Sequence, residues 1–177
     1  MTAALDEWLP SAAVRSRHRR SAAASPGALW DAARGVRLSD TRRLGRLVRW
    51  RIPDLPPDLT YHELFRAYPF CVLDEGDGWL VSGLCGRIWT LSRDYPSLSG
   101  ASDFTGWDEP GTVRVAFAHW VEPGADGHAE LHSEARVQPV DTRARLRLKA
   151  TWAVVGPFER LVGAEPLALA AARAERS

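Results

Sequence analysis

The sequence predicts an α+β protein in which an antiparallel sheet is followed by one long C-terminal helix. Side chains in 113–122 and 128–138 alternate between apolar and polar around a Gly-containing turn, as in a β-hairpin. From Asp141 onward, apolar residues recur at helical spacing instead. A helix that follows a sheet has to pack across one of its faces. Where the two apolar surfaces fill the space between them incompletely, a pocket results, so the sequence also predicts an internal cavity.

Composition narrows the class of protein. The chain has 177 residues, of which 45% are hydrophobic, enough for one domain with a core. The formal net charge is only +1, so charge gives no case for a nucleic-acid partner or a membrane partner. Asp6 and Glu7 interrupt the N-terminus, which is therefore unlike a secretory signal, and no apolar run is long enough for stable membrane insertion. Two cysteines fit a reduced, cytoplasmic protein.

The first half of the chain predicts one strand followed by helices. A strand over 14–24 precedes Ser25-Pro26, an N-cap followed by proline at the first helical position. That helix should bury Trp30 and end at Gly35. A second helix follows Ser39, and Arg residues crowd 34–51. We interpret this arginine run as a solvated face, with an interaction surface as the alternative.

The middle of the chain predicts a short helix and a hairpin. Thr60 and Glu63 have the spacing of a capping box. Strands are expected over 70–74 and 79–90, with a bulge or bend near Gly83 and Gly86 in the second strand. The loop over 91–111 carries aromatic residues and is expected to fold back on the body.

The alternation in the second hairpin predicts which face is buried. The expected core face contains the following residues: Val113, Val115, Phe117, His119, Val121, Leu131, Ser133, Ala135 and Val137. The opposite face carries the following residues and is expected to face solvent: Arg114, Trp120, Glu122, Glu130, His132, Glu134 and Arg136. His119 is the titratable residue on the core face. It is either a pocket donor or general base, or a core histidine satisfied by a neighbour.

The C-terminal segment predicts a helix that is kinked or broken. Ala144, Leu148, Trp152 and Val155 form its apolar stripe. Pro157 and Pro166 each remove a backbone donor, so the helix is expected to bend or break at both prolines.

Three sequence signatures resemble one known family. They are WLVSGLCGRIW over 79–89, WDEPG over 107–111, and LHSEARV over 131–137 followed by Asp141 and Trp152. In this order they are similar to an actinobacterial branch of the SRPBCC superfamily, which includes START domains, pollen-allergen-like proteins and polyketide cyclases. The resemblance implies a helix-grip fold: a curved antiparallel sheet around a long C-terminal helix, with two short helices after the first strand.

The resemblance also implies domain limits, and the chain departs from its pattern twice. Residues 1–12 would be an N-terminal extension and 13–177 one helix-grip domain. The branch usually has an aromatic or apolar residue where this chain has His119, which suggests a polar point in the cavity. It also tends to carry Ile-Arg where this chain has Val162-Gly163, so this chain has no arginine at that point of the helix.

The function predicted is binding of a hydrophobic small molecule, whether lipid-like, aromatic or polyketide-like, in the internal cavity. The expected ligand-binding residues are Trp30, Tyr68, Arg87, Trp89, Phe117, His119, Ser133 and Trp152. The alternative is a polyketide cyclase or aromatase-like enzyme, with His119 as base and Arg87 polarising a carbonyl. A third possibility is an interaction module that uses the arginine run, which would show as a small or filled cavity.

No cofactor and no metal site are expected, and the oligomeric state is left open. His128 and His132 share a strand face but lie about 13 Å apart by strand rise, too far to share one ion. Cys71 and Cys85 lack an orienting partner at any recognisable spacing, so we interpret them as small buried side chains rather than nucleophiles.

Overall fold

The chain forms a five-stranded antiparallel sheet with helices on both of its faces. The computed structural model describes residues 5–51, 56, 58–90 and 95–176, and gives only the backbone for 47, 49–51 and 153–163. The strands are β1 (Val14–Ala22), β2 (Cys71–Gly76), β3 (Trp79–Gly86), β4 (Val113–Pro123) and β5 (Ala129–Pro139). Their order across the sheet is β1-β5-β4-β3-β2. All neighbouring strands are antiparallel, so β4 lies at the centre.

Six helices accompany the strands in the described part of the chain. They are α1 (Leu5–Trp8), α2 (Pro26–Arg34), α3 (Leu44–Arg51), α4 (Tyr61–Leu64), α5 (Ala101–Thr105) and α6 (Thr142–Ala174). A 3₁₀ turn at Leu38–Asp40 precedes α3. Helix α6 packs against α2, β1 and β5. The predicted α+β architecture, with an antiparallel sheet and a long C-terminal helix, is confirmed, and this is the arrangement that the helix-grip prediction requires.

Local capping signals place the helices that follow β1. The Ser25 hydroxyl accepts a hydrogen bond from the Ala28 amide at 3.2 Å, and Pro26 occupies the first helical position. Gly35 ends α2. Thr60 and Glu63 form a reciprocal capping box at α4. The Thr60 amide donates to Glu63 Oε2 at 2.9 Å, and the Glu63 amide donates to the Thr60 hydroxyl at 3.1 Å. These two predicted helix starts are confirmed.

Helix α6 runs without a break through both of its prolines. Asp141 caps its start, with a carboxylate that accepts from the Ala144 amide at 2.6 Å, and the helix spans 33 residues from Thr142. The prediction was a bend or a break at Pro157 and at Pro166, and the break is wrong at both, because the helix continues through them. Proline removes one backbone hydrogen bond, and tertiary packing on both sides of that point holds the helix together. Val155 and Val162-Gly163 have side chains outside the described residues.

Two sets of contacts flank the prolines of α6. Ala144 and Leu148 are buried on the first half of the helix, as predicted. On the second half the buried side chains are Leu167, Ala170, Ala171 and Ala174, which pack in the same core as α2. Glu165 also accepts hydrogen bonds from the backbone amides at the start of α3, at 2.7 Å from Arg42 and 2.9 Å from Leu44. Its carboxylate therefore caps α3 from another helix.

No helix of the described chain combines the length and apolarity needed to cross a membrane.

The sheet has a core on each face, which differs from the prediction for the second hairpin. The helix face, which packs on α2 and α6, carries Leu80, Phe117, His119 and Leu131, as expected. The opposite face, here called the far face, was predicted to be solvent-exposed. Instead Trp120 is 0% exposed.

Segments distant in sequence cover the far face. Leu5 and Leu9 from the N-terminal segment and Phe104 from α5 pack there on Ala116, Ala118 and Trp120. The segment predicted as an N-terminal extension thus supplies core residues. The burial of Phe104 confirms that the 91–111 loop folds back on the body, with 91–94 outside the described residues. The polar residues of the far face misled the prediction because two of them, Arg136 and His132, are buried. Arg136 is buried in ion pairs with Asp6 and Glu134, at 2.6 Å each.

Gly83 allows the far-face cover to approach β3. A Cβ atom at this position would lie 2.6 Å from the Phe104 ring. The glycine therefore makes room for an aromatic side chain. The register shift predicted near Gly83 and Gly86 lies instead on the neighbouring strand, between Val72 and Asp74 of β2.

Candidate functional site

His119 lies at the centre of the helix face. On β4 it is opposite Leu80 of β3 and Ser133 of β5. The residue is 6% exposed. Its Nε2 lies 2.8 Å from the phenol oxygen of Tyr61, the first residue of α4. The capping box that starts α4 therefore also positions the partner of the buried imidazole, and it satisfies a polar group that would otherwise be costly to bury.

Burial sets the charge of this histidine. Loss of solvent, with a smaller contribution from His62, lowers the pKa of His119 to about 3. The ring is neutral at neutral pH. A base with so low a pKa takes a proton poorly, so the site favours hydrogen bonding over general-base chemistry.

Aromatic rings surround the Tyr61–His119 pair. The Phe65 ring lies 4.6 Å from the His119 ring and 5.1 Å from the Tyr61 ring, measured between centroids. Phe117 and Phe70 continue the cluster, each within 5.1 Å of Phe65. The hydrogen-bonded pair is thus one polar point inside an apolar wall.

A small cavity adjoins His119. It has a volume of about 20 Å³, roughly the space of one water molecule. Its lining residues are Trp30, Ala33, Arg34, Tyr61, His62, Leu80, His119, Leu131, Pro166 and Leu167. In this conformation the space is nearly filled.

A larger cleft lies outside this cavity. It has a volume of about 470 Å³ and shares Trp30, Arg34 and His62 with the inner space. The Trp30 and His62 rings meet edge to face, with centroids 5.8 Å apart and an interplanar angle of 89°. These two rings therefore stand between the cleft and the cavity beside His119.

The cleft has charged walls. Burial, together with the charges of Arg66 and Arg34, lowers the pKa of His62 to about 4. Arg66 pairs with Glu75, and Arg34 lies 3.7 Å from Asp31. The outer cleft is polar, whereas the inner cavity is mainly apolar.

A second aromatic cluster lies at the other end of the helix face. Trp89 and Trp152 are half-buried against a core of Leu84, Val113, Val115, Val137 and Leu148. Phe117 and Phe70 contact both this core and the one around His119. Among the residues whose side chains are described, neither tryptophan lines the cavity beside His119.

The structure separates the predicted ligand residues into groups. It brings Trp30 and His119 together at the cavity, with Ser133 opposite His119 in register and 4% exposed. Arg87 is instead 52% exposed and lies 3.6 Å from Glu109. Tyr68 is 49% exposed, and its hydroxyl donates to the Tyr95 carbonyl at 2.9 Å. Neither of these two lines the cavity beside His119.

Tyr61 and His62 are site residues that the sequence did not indicate. The capping box of Thr60 and Glu63 predicts a helix start at Tyr61, but it does not indicate which strand that helix contacts. The free cysteines match their interpretation as small buried side chains, since both are buried and burial raises the pKa of Cys85 to about 12.

Comparison with known proteins gives low similarity throughout. Neither a family model nor a curated protein matches the chain. Among solved structures, a hypothetical protein from Helicobacter pylori is 9% identical, with a TM-score of 0.42, over 96% of this chain and 93% of that one. The ZhuI aromatase/cyclase from Streptomyces sp. R1128 is 12% identical, with a TM-score of 0.32, over 92% and 94%. Ara h 8.0201 is 10% identical, with a TM-score of 0.25, over 84% and 95%.

The similarity of the chain to these solved structures is low both in sequence identity and in TM-score. At such identities and TM-scores they carry no argument about what this chain binds or catalyses. The case for its fold rests on its own sheet and helices.

Proposed function

We propose that this protein binds a hydrophobic small molecule between the helix face of the sheet and helices α2, α4 and α6. The observation that supports this most is the buried polar pair Tyr61–His119 in an aromatic wall beside an apolar cavity. Ligand sites in proteins commonly combine apolar walls with a few oriented polar groups. We further propose that the chain belongs to an actinobacterial branch of the SRPBCC superfamily and acts in the cytoplasm.

The ligand would reach the cavity through the outer cleft. Trp30 and His62 border both spaces, and their rings meet between them. A drug-sized ligand needs roughly 300–1000 Å³, far more than the inner cavity offers. In this proposal Trp30 and His62 move apart on binding, and the apolar part of the ligand lies against Leu80, Leu131 and Leu167.

The enzyme alternative, a polyketide cyclase or aromatase-like activity, has less support from the site. His119 is held neutral by burial, with a pKa of about 3. Arg87 lies beside Glu109 and does not line the cavity that His119 lines. A reaction needing both side chains on one substrate would require Arg87 to leave Glu109.

A partner-binding function is the second candidate, and the small cavity volume favours it. Arg42, Arg43 and Arg46 are exposed on and before α3. In that case the helix face would be an ordinary core and the arginine run an interaction surface. The same experiment decides between the two functions.

Native mass spectrometry of freshly purified protein tests whether a small molecule is retained. In parallel, displacement of 1-anilinonaphthalene-8-sulfonate by fatty acids and by aromatic compounds measures binding. Ala33→Phe fills the cavity that Ala33 lines, so we expect affinity to fall by about tenfold or more, equivalent to about 1.4 kcal/mol.

Ala32→Phe is the matched control. Ala32 is the neighbouring residue on α2 and does not line this cavity, so its variant should bind as the wild type does. Equal loss in both variants, or no retained or displaceable ligand in the wild type, would contradict the binding proposal and leave the partner-binding candidate.

A further inference from the structure

Three potential metal ligands meet on the far face of the sheet. Glu122 of β4 and Glu130 of β5 are directly opposite each other in register. His132 follows two residues after Glu130 and therefore points to the same face. Ligand atoms of these three side chains all lie within 4.8 Å of one another.

The buried imidazole is directed into this cluster. The His132 side chain is only 3% exposed, and its Nε2 lies 2.9 Å from Oε1 of Glu122 and 3.3 Å from Oε2 of Glu130. Despite these short distances, Nε2 makes no hydrogen bond of acceptable direction with the described residues. The oxygens are thus near the nitrogen without lying along a ring N–H bond, which leaves a buried polar atom unsatisfied.

These separations suit atoms that share an ion. Zn²⁺ binds imidazole nitrogen and carboxylate oxygen at about 2.0–2.2 Å, so two ligands in a tetrahedral site stand about 3.3 Å apart. The 3.3 Å distance from Nε2 to Glu130 matches that value, and the 2.9 Å distance to Glu122 is about 0.4 Å shorter. An ion would also offset the repulsion between two glutamates that face each other across the strands.

The surroundings hold the imidazole in place and leave room for further ligands. The His132 ring stacks on Trp120, with centroids 4.9 Å apart and planes 8° from parallel. Glu122 and Glu130 keep 33% and 25% of their side-chain surface exposed, so water can reach the remaining coordination positions.

We propose that Glu122, Glu130 and His132 form a binding site for a divalent transition metal ion, with Zn²⁺ as the ion tested. The site is separate from the cavity beside His119, because His119 and Trp120 are consecutive on β4 and point to opposite faces. The spacing of His128 and His132 excludes a zinc site that those two histidines share. The hairpin register instead places two glutamates beside His132.

Two arginines lie near the site: Arg17, over the Trp120 ring at 5.0 Å from its centroid, and Arg19, which competes with the ion. Arg19 lies 3.8 Å from Oε2 of Glu130, and its side chain is 74% exposed. An exposed ion pair of this kind contributes little to stability, so Arg19 can turn away when a metal binds.

Calorimetric titration of the full chain with Zn²⁺, after removal of metals by a chelator, tests the site. Titration with Co²⁺, followed by visible absorption, reports the coordination geometry. We expect one equivalent of each metal to bind per chain. Glu122→Gln and Glu130→Gln keep the side-chain shape but remove the charge, and each should weaken binding by about tenfold or more.

Two further variants sharpen the test. His128→Gln alters an exposed histidine of the same hairpin and should leave binding unchanged. Arg19→Gln removes the competing cation and should tighten binding. Absence of saturable binding by either metal, wild-type affinity in both glutamine variants, or loss of binding in His128→Gln would overturn the proposal. Circular dichroism of each variant confirms that the fold is retained.

Discussion

The phenol oxygen of Tyr61 lies 2.8 Å from Nε2 of His119, although the two residues are 58 positions apart in the sequence. Both side chains are buried, and their rings meet at 78° with centroids 5.0 Å apart. This single contact joins a four-residue helix to the central strand of the sheet. It also explains how a histidine can occupy an apolar face.

The Tyr61–His119 hydrogen bond should appear as a coupling energy. Tyr61→Phe and His119→Phe each remove this buried hydrogen bond, so each should cost about 1–3 kcal/mol. The double variant removes both groups and should cost less than the sum, by about 1 kcal/mol. Urea unfolding of the four proteins measures the cycle. Strict additivity would mean that the contact contributes no stability.

His119 should make the protein less stable in mild acid. Its pKa is about 3 in the fold, below the ordinary value of 6.5. Below pH 6.5 the unfolded chain therefore takes up a proton that the folded chain refuses, so stability is lost as the pH falls from about 6.5 toward 3. Between pH 7 and pH 5 this contribution is about 2 kcal/mol.

The matched control for this pH dependence is His119→Phe. That variant keeps His62 and every other titrating group, so it should lose less stability between pH 7 and pH 5 than the wild type does. Urea unfolding at the two pH values gives the comparison. Parallel losses in the two proteins would show that His119 is not the source.

Gly83→Ala should destabilise the far-face core. The added methyl group would lie 2.6 Å from the Phe104 ring and 2.9 Å from Leu73, so we expect a cost of about 1–3 kcal/mol. Replacing the ring with a smaller side chain, by adding Phe104→Leu to the Gly83→Ala variant, should recover part of that loss. Gly27→Ala is the control, because nothing lies within 4 Å of its added atom. Thermal unfolding measures the stability of both variants. Equal melting temperatures for Gly83→Ala and Gly27→Ala would contradict this packing.

Leu9→Ala tests whether the N-terminal segment belongs to the core. Leu9 is 0% exposed and packs on the far face, so its truncation should cost about 2–5 kcal/mol. Glu7→Ala, at an exposed position in the same segment, should stay within about 0.5 kcal/mol of the wild type. Denaturant midpoints of the two variants provide the measurement. Equal midpoints would show that the segment adds no stability.

Features set by neighbours in sequence could be predicted well. The starts of α2 and α4 follow from Ser25-Pro26 and from Thr60 with Glu63, because capping joins residues only three positions apart. The hairpin β4–β5 follows from its alternation and its turn. These local signals were enough for the fold class.

Features set by distant segments could not be predicted. Nothing near Trp120 indicates that Leu5 and Phe104 will cover it, and the charged residues beside it suggested solvent instead. The partner of His119 comes from a helix whose position on the sheet depends on the whole chain. The continuous α6 shows the same limit, since packing outweighed the local effect of two prolines.

The cover on both faces of the sheet has a consequence for hydrogen exchange. Strand β4 is bonded to β3 on one side and to β5 on the other, and side chains are buried above and below it. Solvent has no local route to its central amides around Ala116 to Trp120. Those amides should exchange only through global unfolding, whereas the edge strands β1 and β2 can also exchange through local opening. The slowest amides of β4 therefore report the free energy of unfolding of the whole domain.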